Sequence, residues 1–369
     1  MKRVAVLGST GSIGIRALDV IRGSDRLAVH SLLCRSNVGL VASQAAEFGP
    51  AVTCVVDPPP GSDTRGMVTG ADALEAAVDG SDMVLNAIVG SRGLRASLMA
   101  MDRGIPLALA NKESLVVGGE LLRDFLAAGS VVPVDSEHST VYRCLMGEES
   151  PAGRIILTAS GGPLRAVPLD DMEDASPADV LAHPTWDMGS RITVDSATMA
   201  NKGFEVIEAG WLFPGIPVSV LVHPQSVVHS LVRLGDGSWK ALLGSPDMRV
   251  PIQFALLHPE GRVSRISDDS PLDWGELTFE PLDGRRYPAF AAVIAAGQAG
   301  GTAPAVANAA DEVAVQAFLE ERIPFGAIAR VIESVLSTHR RCDVTCLEDV
   351  LRADEWARRE AAGMTGGKC

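Results

Sequence analysis

No apolar run in the sequence approaches the ~18–20 residues that a membrane span requires, so no transmembrane segment is expected. A secretory leader is not expected either. MKRVAVLGSTG starts basic, but its apolar stretch (VAVL) enters a glycine-rich turn at once, the pattern of a first strand. Positive charge is in short supply: 32 Lys and Arg against 46 Asp and Glu leave a net −14. That balance excludes a nucleic-acid binder, which needs a basic surface to neutralise phosphates, but a site can be locally basic for a small anion. CxxC pairs are missing. The six cysteines are scattered, and Cys342 and Cys346 lack the further partners a zinc site needs. A reduced, cytoplasmic enzyme is the expectation. Disorder as the overall state is excluded by 47% apolar and 21% charged residues, and there is no internal repeat.

What is present is a chain of 369 residues, long enough for two or three domains. Through residue 134, short β-branched runs alternate with amphipathic stretches. Strands are predicted at Arg3–Leu7, Leu27–Leu33, Val52–Val56, Met83–Ala87, Pro106–Ala110 and Val131–Val134. Helices are predicted at Ser12–Arg22, Val41–Phe48, Leu94–Asp102 and Ser114–Ala128. This alternation predicts a parallel, doubly wound sheet with ligands outside the carboxyl ends of its strands. Residues 135–260 mix strands (Arg154–Thr158, Val218–Val222, Ser238–Leu243) with helices and motif-dense loops, a second α/β domain. Residues 261–286 read as a linker and 287–369 as a small helical domain, frayed from Gly363.

VAVLGSTGSIG sets Gly8, Gly11 and Gly14 between a buried strand and a helix start, where backbone amides can meet a pyrophosphate. Its place at the opening of a βαβ run reads as dinucleotide binding. After the second strand stand Arg35, Ser36 and Asn37, with no acid for a ribose 2′-hydroxyl, so NADPH is favoured over NADH.

The sixth predicted strand ends in VPVDSEHS. If extended geometry persists, Asp135 and Glu137 point to one side, and two such carboxylates call for a cation or a shared proton. Farther on, SRITVDSATMANKGFEVIEAGWLF reads as a short strand followed by a helix. There Asn201, Lys202 and Glu205 share one surface at i,i+3 and i,i+4 spacing. Glu205 would add a third hard oxygen ligand, a set suited to Mg²⁺ or Mn²⁺, although spacing does not bring residue 205 beside residue 135. Ser160, Gly161 and Gly162 after a strand, with Ser196, Asn201 and Lys202, offer hydroxyls, amides and a cation to a phosphorylated substrate.

GSTGSIG, ANKES (Ala110–Ser114), PVDSEH (Pro133–His138), SGGP (Ser160–Pro163), HPTWDMG (His183–Gly189), VDSATMANKGFE (Val194–Glu205) and HPQSVVHS (His223–Ser230), in this order, resemble segments of the 1-deoxy-D-xylulose 5-phosphate reductoisomerase family. The resemblance covers nearly the whole chain. It implies a Rossmann-like NADPH-binding domain, a central α/β catalytic domain with a mobile lid, and a C-terminal helical domain. It also implies NADPH-dependent conversion of 1-deoxy-D-xylulose 5-phosphate to 2-C-methyl-D-erythritol 4-phosphate, by carbon–carbon rearrangement and then reduction, in the non-mevalonate isoprenoid route. The metal would sit on Asp135, Glu137 and Glu205. Substrate contacts would come from Lys112, Ser136, Ser160, His183, Trp186, Ser196, Asn201 and Lys202, with Lys112, His183 and Lys202 serving catalysis. The nucleotide would lie against Thr10, Gly11, Ser12, Ile13, Asn111, Glu113 and Gly189, with Arg35, Ser36 and Asn37 around its 2′-phosphate. A homodimer is the family expectation.

Two departures stand out against that resemblance. Arg35-Ser36-Asn37 replaces the family's usual Gly-Lys-Asn, moving the cation by one position. The lid carries Asp187, then Ser190-Arg191, where a more basic run is common. His223 and His229 read as structural hydrogen-bonders, His138 as a support for the acids, and Asp311 and Glu312 as solvated charges on a surface helix.

Overall fold

The structure, a computed structural model, describes residues 1–182, 189–260, 266 and 270–367. The first stretch of chain alternates strand and helix: β1 (Lys2–Leu7), α1 (Ser12–Arg22), β2 (Leu27–Cys34), α2 (Val38–Phe48), β3 (Val52–Val55), β4 (Val68–Thr69), α3 (Ala73–Val78), β5 (Met83–Asn86), α4 (Gly93–Asp102), β6 (Leu107–Leu109), α5 (Glu113–Ala127), β7 (Val131–Pro133) and α6 (Ser136–Leu145). The strands form one seven-stranded sheet in the order β4-β3-β2-β1-β5-β6-β7, and every pairing in it is parallel. Val4 to Leu7 and Met83 to Leu85 are buried, as expected of strands covered by helices on both faces. The chain reverses its order of strand addition between β1 and β5, so the carboxyl ends of these two flank the crevice where such sheets hold ligands.

Next come β8 (Ala152–Ala159), α7 (Pro177–Leu181), α8 (Ser190–Thr198), α9 (Ala200–Leu212), β9 (Val218–Val222), β10 (Val228–Leu234), β11 (Trp239–Leu243) and α10 (Arg249–Leu257). They are followed by β12 (Glu280–Pro281), α11 (Pro288–Ala299), α12 (Ala303–Leu319), α13 (Ala327–Thr338) and α14 (Leu347–Met364). A second sheet runs β11-β10-β8-β9-β12, with β8 and β9 parallel and the other pairs antiparallel.

The chain divides into two compact units, at bounds other than those the sequence suggested. One comprises 1–114, 122–143 and 247–268, the other 115–121, 144–246 and 269–369. Helix α10 is the reason for the difference: Ile252, Ala255, Leu256 and Leu257 join the core built from Ala17, Leu18 and Ile21 of α1 and from Val132 and Val134. Lys2 secures its end by donating to the carbonyls of Leu256 and His258 at 2.9 and 3.0 Å. The stretch read as a linker is also partly structural, because Glu280–Pro281 pairs with Leu221–Val222 as an edge strand. At the other end, α14 continues through the residues expected to fray. Thr365 donates to the Ala361 carbonyl at 3.0 Å, and Arg322 donates to the Thr365 carbonyl at 2.5 Å.

Candidate active site

The glycine loop is shaped by close approach. Gly8 has φ +86°, and a Cβ there would stand 2.4 Å from the Ala87 carbonyl oxygen. At Gly14, inside the first turn of α1, a Cβ would stand 2.3 Å from the Gly8 oxygen and 2.6 Å from Ser9 Cα. The loop thus lies directly on the helix end, with Gln44 donating to the Ser9 carbonyl at 2.9 Å to hold it. Helix α1 has no side-chain cap and no acid in its first turn. Its first amides, at Ser12, Ile13 and Gly14, therefore remain for an anion. Ile13 packs on the core, and the Ser12 hydroxyl accepts from Arg16 one turn on.

After β2, Arg35 is exposed and lies 3.3 Å from Asp57. Ser36 is exposed as well. Asn37 has a local task that the sequence reading missed: its side chain caps α2 by accepting from the Leu40 amide at 3.2 Å. The Asn-first signature of a helix start was legible there.

Asn111 is committed within the protein. Its amide donates to the carbonyls of Ile88 and Gly90 at 2.7 and 3.0 Å and to Glu113 at 2.9 Å, while its oxygen accepts from the Ser114 amide at 3.0 Å. Beneath it, Asn86, Ser97 and Ser114 extend a buried polar chain with links of 2.9 Å. Asn111 therefore fixes the loop after β5 beside the glycine loop.

Lys112 follows β6 and Asp135 follows β7. Because these strands are parallel neighbours, the two side chains meet at the carboxyl edge of the sheet, 2.7 Å apart and nearly buried. Asp135 and Glu137 were expected to share a side through continued extension. Instead the chain turns helical at Ser136: the Asp135 carbonyl accepts from the Ser139 amide at 2.8 Å, and Glu137 lies in the first turn of α6. Acids are favoured there by the unpaired amides at a helix start. The Ser136 hydroxyl donates to Glu137 at 2.6 Å.

In the second unit, residues 190–198 form a helix where a strand was expected. Ile192, Thr193 and Val194 favour strand locally. Burial of Thr193, Val194 and Ala197 against neighbouring helices outweighs that preference. Gly189 opens α8, its carbonyl accepting from Thr193 Oγ1 at 3.0 Å. Met199, at φ +60°, breaks α8 from α9. Asn201, Lys202 and Glu205 then share one face of α9 as expected, with Asn201 and Lys202 both donating to Glu205. Lys202 and Glu205 are buried. Helix α9 has no acid in its first turn; its Ala200 amide donates to the Thr198 hydroxyl at 3.2 Å, and the turn that follows carries Asn201 and Lys202.

Beside that end lies the Ser160 loop. Gly161 and Gly162 have φ +83° and +72°, and a Cβ on Gly162 would stand 2.6 Å from the Ser196 carbonyl oxygen. The sequence separates the SGG and SAT segments widely, and the fold brings them into contact. Tyr287, buried beneath, donates to the Gly161 carbonyl at 2.9 Å, and burial pushes its hydroxyl up so that it keeps the proton it donates. Arg286 donates to the carbonyls of Leu164 and Val167 at 2.9 and 2.6 Å. Neither residue was singled out from sequence, since each acts on backbone that no motif marks.

His223 has the structural part expected of it. It is fully buried and stacked on Phe279, its Nε2 accepts from the amides of Val227 and Val228 at 3.2 Å, and its Nδ1 donates to the Thr278 carbonyl at 2.8 Å. Asp311 and Glu312 contradict the solvated reading. Helix α12 is buried along most of its length; Asp311 has no exposed surface, and Glu312 is tied to Arg191 and Arg358. His183 and Trp186 lie outside the described residues.

The family description "1-deoxy-D-xylulose 5-phosphate reductoisomerase" matches residues 4–119, the C-terminal domain of that enzyme matches 131–213, and a further DXP reductoisomerase C-terminal domain matches 243–360. A 1-deoxy-D-xylulose 5-phosphate reductoisomerase of Chlorobium phaeovibrioides is 44% identical over 98% of this chain and 99% of its own, and one of Anaeromyxobacter sp. (strain K) is 46% identical over 100% and 98%. The solved enzyme of Zymomonas mobilis in complex with NADPH superposes with a TM-score of 0.90 at 39% identity, covering 99% of each chain. A DOX-P reductoisomerase in complex with NADPH, fosmidomycin and magnesium gives 0.89 at 33% identity, covering 100% of each.

Proposed function

The chain belongs to the 1-deoxy-D-xylulose 5-phosphate reductoisomerase family, and from that premise we propose how its residues divide the work. The reaction is the NADPH- and divalent-metal-dependent conversion of 1-deoxy-D-xylulose 5-phosphate to 2-C-methyl-D-erythritol 4-phosphate. Asp135, Glu137 and Glu205 hold the metal. The chemistry of the donor set supports this assignment: all three offer hard carboxylate oxygens, which suit Mg²⁺ or Mn²⁺. Asp135 and Glu205 are each already held against a lysine, as low-exposure carboxylates need to be. A divalent cation there supplies Lewis-acid polarisation of the substrate's carbonyl and hydroxyl oxygens.

The remaining groups bind and orient. Ser160, Ser196, Asn201 and Lys202 take the substrate phosphate. The single observation that carries this is the packing of Gly162 on Ser196, which assembles two hydroxyl-bearing segments beside the acid-free first turn of α9. Lys112 and Ser136 reach the substrate's polar carbons from the carboxyl edge of the parallel sheet. His183 and Trp186 belong to the loop that excludes water, with His183 as a polar contact. NADPH lies on Thr10, Gly11, Ser12 and Ile13, beside the loop that Asn111 and Glu113 hold, with Gly189 nearby, and supplies hydride. Arg35, Ser36 and Asn37 face its 2′-phosphate; the exposure of Arg35 supports that reading, and Asp57, with which it pairs at 3.3 Å, is exposed too. The Rossmann-like, catalytic and helical domains read from sequence are proposed as the functional division. No described helix is long and apolar enough to cross a membrane. A cytoplasmic homodimer is the proposed form, supported by the family resemblance.

The test follows absorbance at the nicotinamide band with protein, NADPH, 1-deoxy-D-xylulose 5-phosphate and Mg²⁺, with Mn²⁺, chelator or NADH substituted in parallel. Turnover that needs metal and favours NADPH is expected. Bound NADPH without turnover under either metal would refute the reading.

A further inference from the structure

Among the described residues, the acids Asp195 of α8 and Asp311 and Glu312 of α12 lie beside two guanidinium groups, those of Arg191 and Arg358. Arg191 of α8 donates to Glu312 at 3.0 Å and to Asn308 at 3.4 Å; its Nε lies 3.6 Å from Asp195 and its Nη2 4.0 Å from Asp311. From α14, Arg358 pairs with Glu312 at 2.7 Å and with its own neighbour Asp354 at 2.6 Å. Helix α11 brings no titratable side chain to α12, and Arg330 and Glu333 of α13 are exposed, with Arg330 paired to Glu173. Asp311 is fully buried, and among the described residues no N–H or O–H donor reaches either of its carboxylate oxygens.

An ionised carboxylate in that position would lack both solvent and hydrogen bonds. Burial, then the charge of Asp195, push the Asp311 carboxyl well above the usual carboxylate range, against the pull of Arg191. Burial opposes the charge of Glu312 as well, but Arg191 and Arg358 hold its carboxyl below the usual range. The two guanidinium charges are thus taken up by Glu312, Asp354 and Asp195.

We propose that Asp311 is a positioning residue that stays a neutral acid, donates its proton to the Asp195 carboxylate and so ties α8 to α12. Asp195 directly precedes Ser196, so the tie holds Ser196 against the Ser160 loop. Its consequence for catalysis rests on the reading that Ser196 contacts the substrate phosphate.

The test uses the full chain. Asp311→Asn retains a donor toward Asp195 and is expected to keep KM and kcat near wild type at neutral pH. It also removes one linked proton. Between pH 5 and 7, the wild-type folding constant should fall, relative to that of the variant, by about tenfold per pH unit. Asp311→Leu keeps the shape without the donor. It is expected to raise KM for 1-deoxy-D-xylulose 5-phosphate by about tenfold, one hydrogen bond's worth, with kcat little changed. Parallel pH–stability curves for wild type and Asp311→Asn would show an ionised Asp311 and overturn the proposal, and this readout stands even where Asp311→Leu fails to fold. A KM raised by Ser196→Ala and unmoved by Asp311→Leu would also overturn it. A KM unmoved by both would overturn the phosphate reading instead, since the stability curves are measured without substrate.

Discussion

Gly14→Ala is the sharpest perturbation of the dinucleotide loop, because its cost can be worked from the structure. The new Cβ would lie 2.3 Å from the Gly8 oxygen, 2.6 Å from Ser9 Cα and 2.7 Å from Ser9 carbonyl carbon. All three are backbone atoms, and each contact is about 1 Å short of ordinary separation. A side chain could swing away; here the loop or the start of α1 must move by about that 1 Å. Misplacing pre-aimed groups by 1 Å costs up to about a hundredfold. NADPH affinity should therefore fall about 10- to 100-fold, with about 1–3 kcal/mol lost from folding through overpacking. Gly39→Ala, on α2, is the control, since nothing lies within 4 Å of its Cβ. Fluorescence titration of NADPH with both variants, beside urea denaturation, measures the two effects. Wild-type NADPH affinity in a folded Gly14→Ala protein would refute the argument that close approach of loop and helix makes this site.

Two further expectations follow from other parts of the molecule. Gly162→Ala forces a side chain onto φ +72° and into the Ser196 backbone, so KM for the phosphorylated substrate should rise about tenfold or more while NADPH affinity stays unchanged; steady-state kinetics with each ligand varied separates these. Arg3 bonds Asp82 with both side chain and backbone and holds its carboxyl down to about 2. This stabilisation is present above the unfolded value of 3.8 and lost as pH falls through about 2. The pair is 53% and 42% exposed, so screening reduces it to about 1 kcal/mol. Asp82→Asn should remove that part of the acid sensitivity in denaturation curves taken from pH 5 to 2.

The parallel sheet was legible because its strands are short buried runs closed by glycine turns, and helix α1 falls at its expected ends, Ser12 and Arg22. Strand β4 went unread at two residues, too short for periodicity to register. Residues 190–198 read as strand because β-branching is a local signal, whereas the burial that makes them helical comes from helices distant in sequence. Asp311 and Glu312 read as solvated because charge suggests surface; only the arrival of Arg191 and Arg358 shows the helix to be buried on that side. Helix α10 has apolar residues that say it is packed, but not that its core is the one formed by α1. In the site, the i,i+4 face of Asn201 and Glu205 followed from helix geometry. Asp135 and Glu137 do bring carboxylate oxygens within 4.8 Å of each other, but through the helix that starts at Ser136 and not through continued extension. Contacts between segments distant in sequence, such as Gly162 on Ser196, could not be read from spacing.

The most direct test of the account is Mn²⁺ binding, followed by the electron spin resonance of free Mn²⁺, in wild type, Asp135→Asn and Glu205→Gln, each shown folded by circular dichroism. The account predicts one Mn²⁺ per chain in wild type and at least about tenfold weaker binding in each variant, as loss of a charged ligand requires. Undiminished binding in folded Glu205→Gln would contradict the assignment of the metal to these carboxylates.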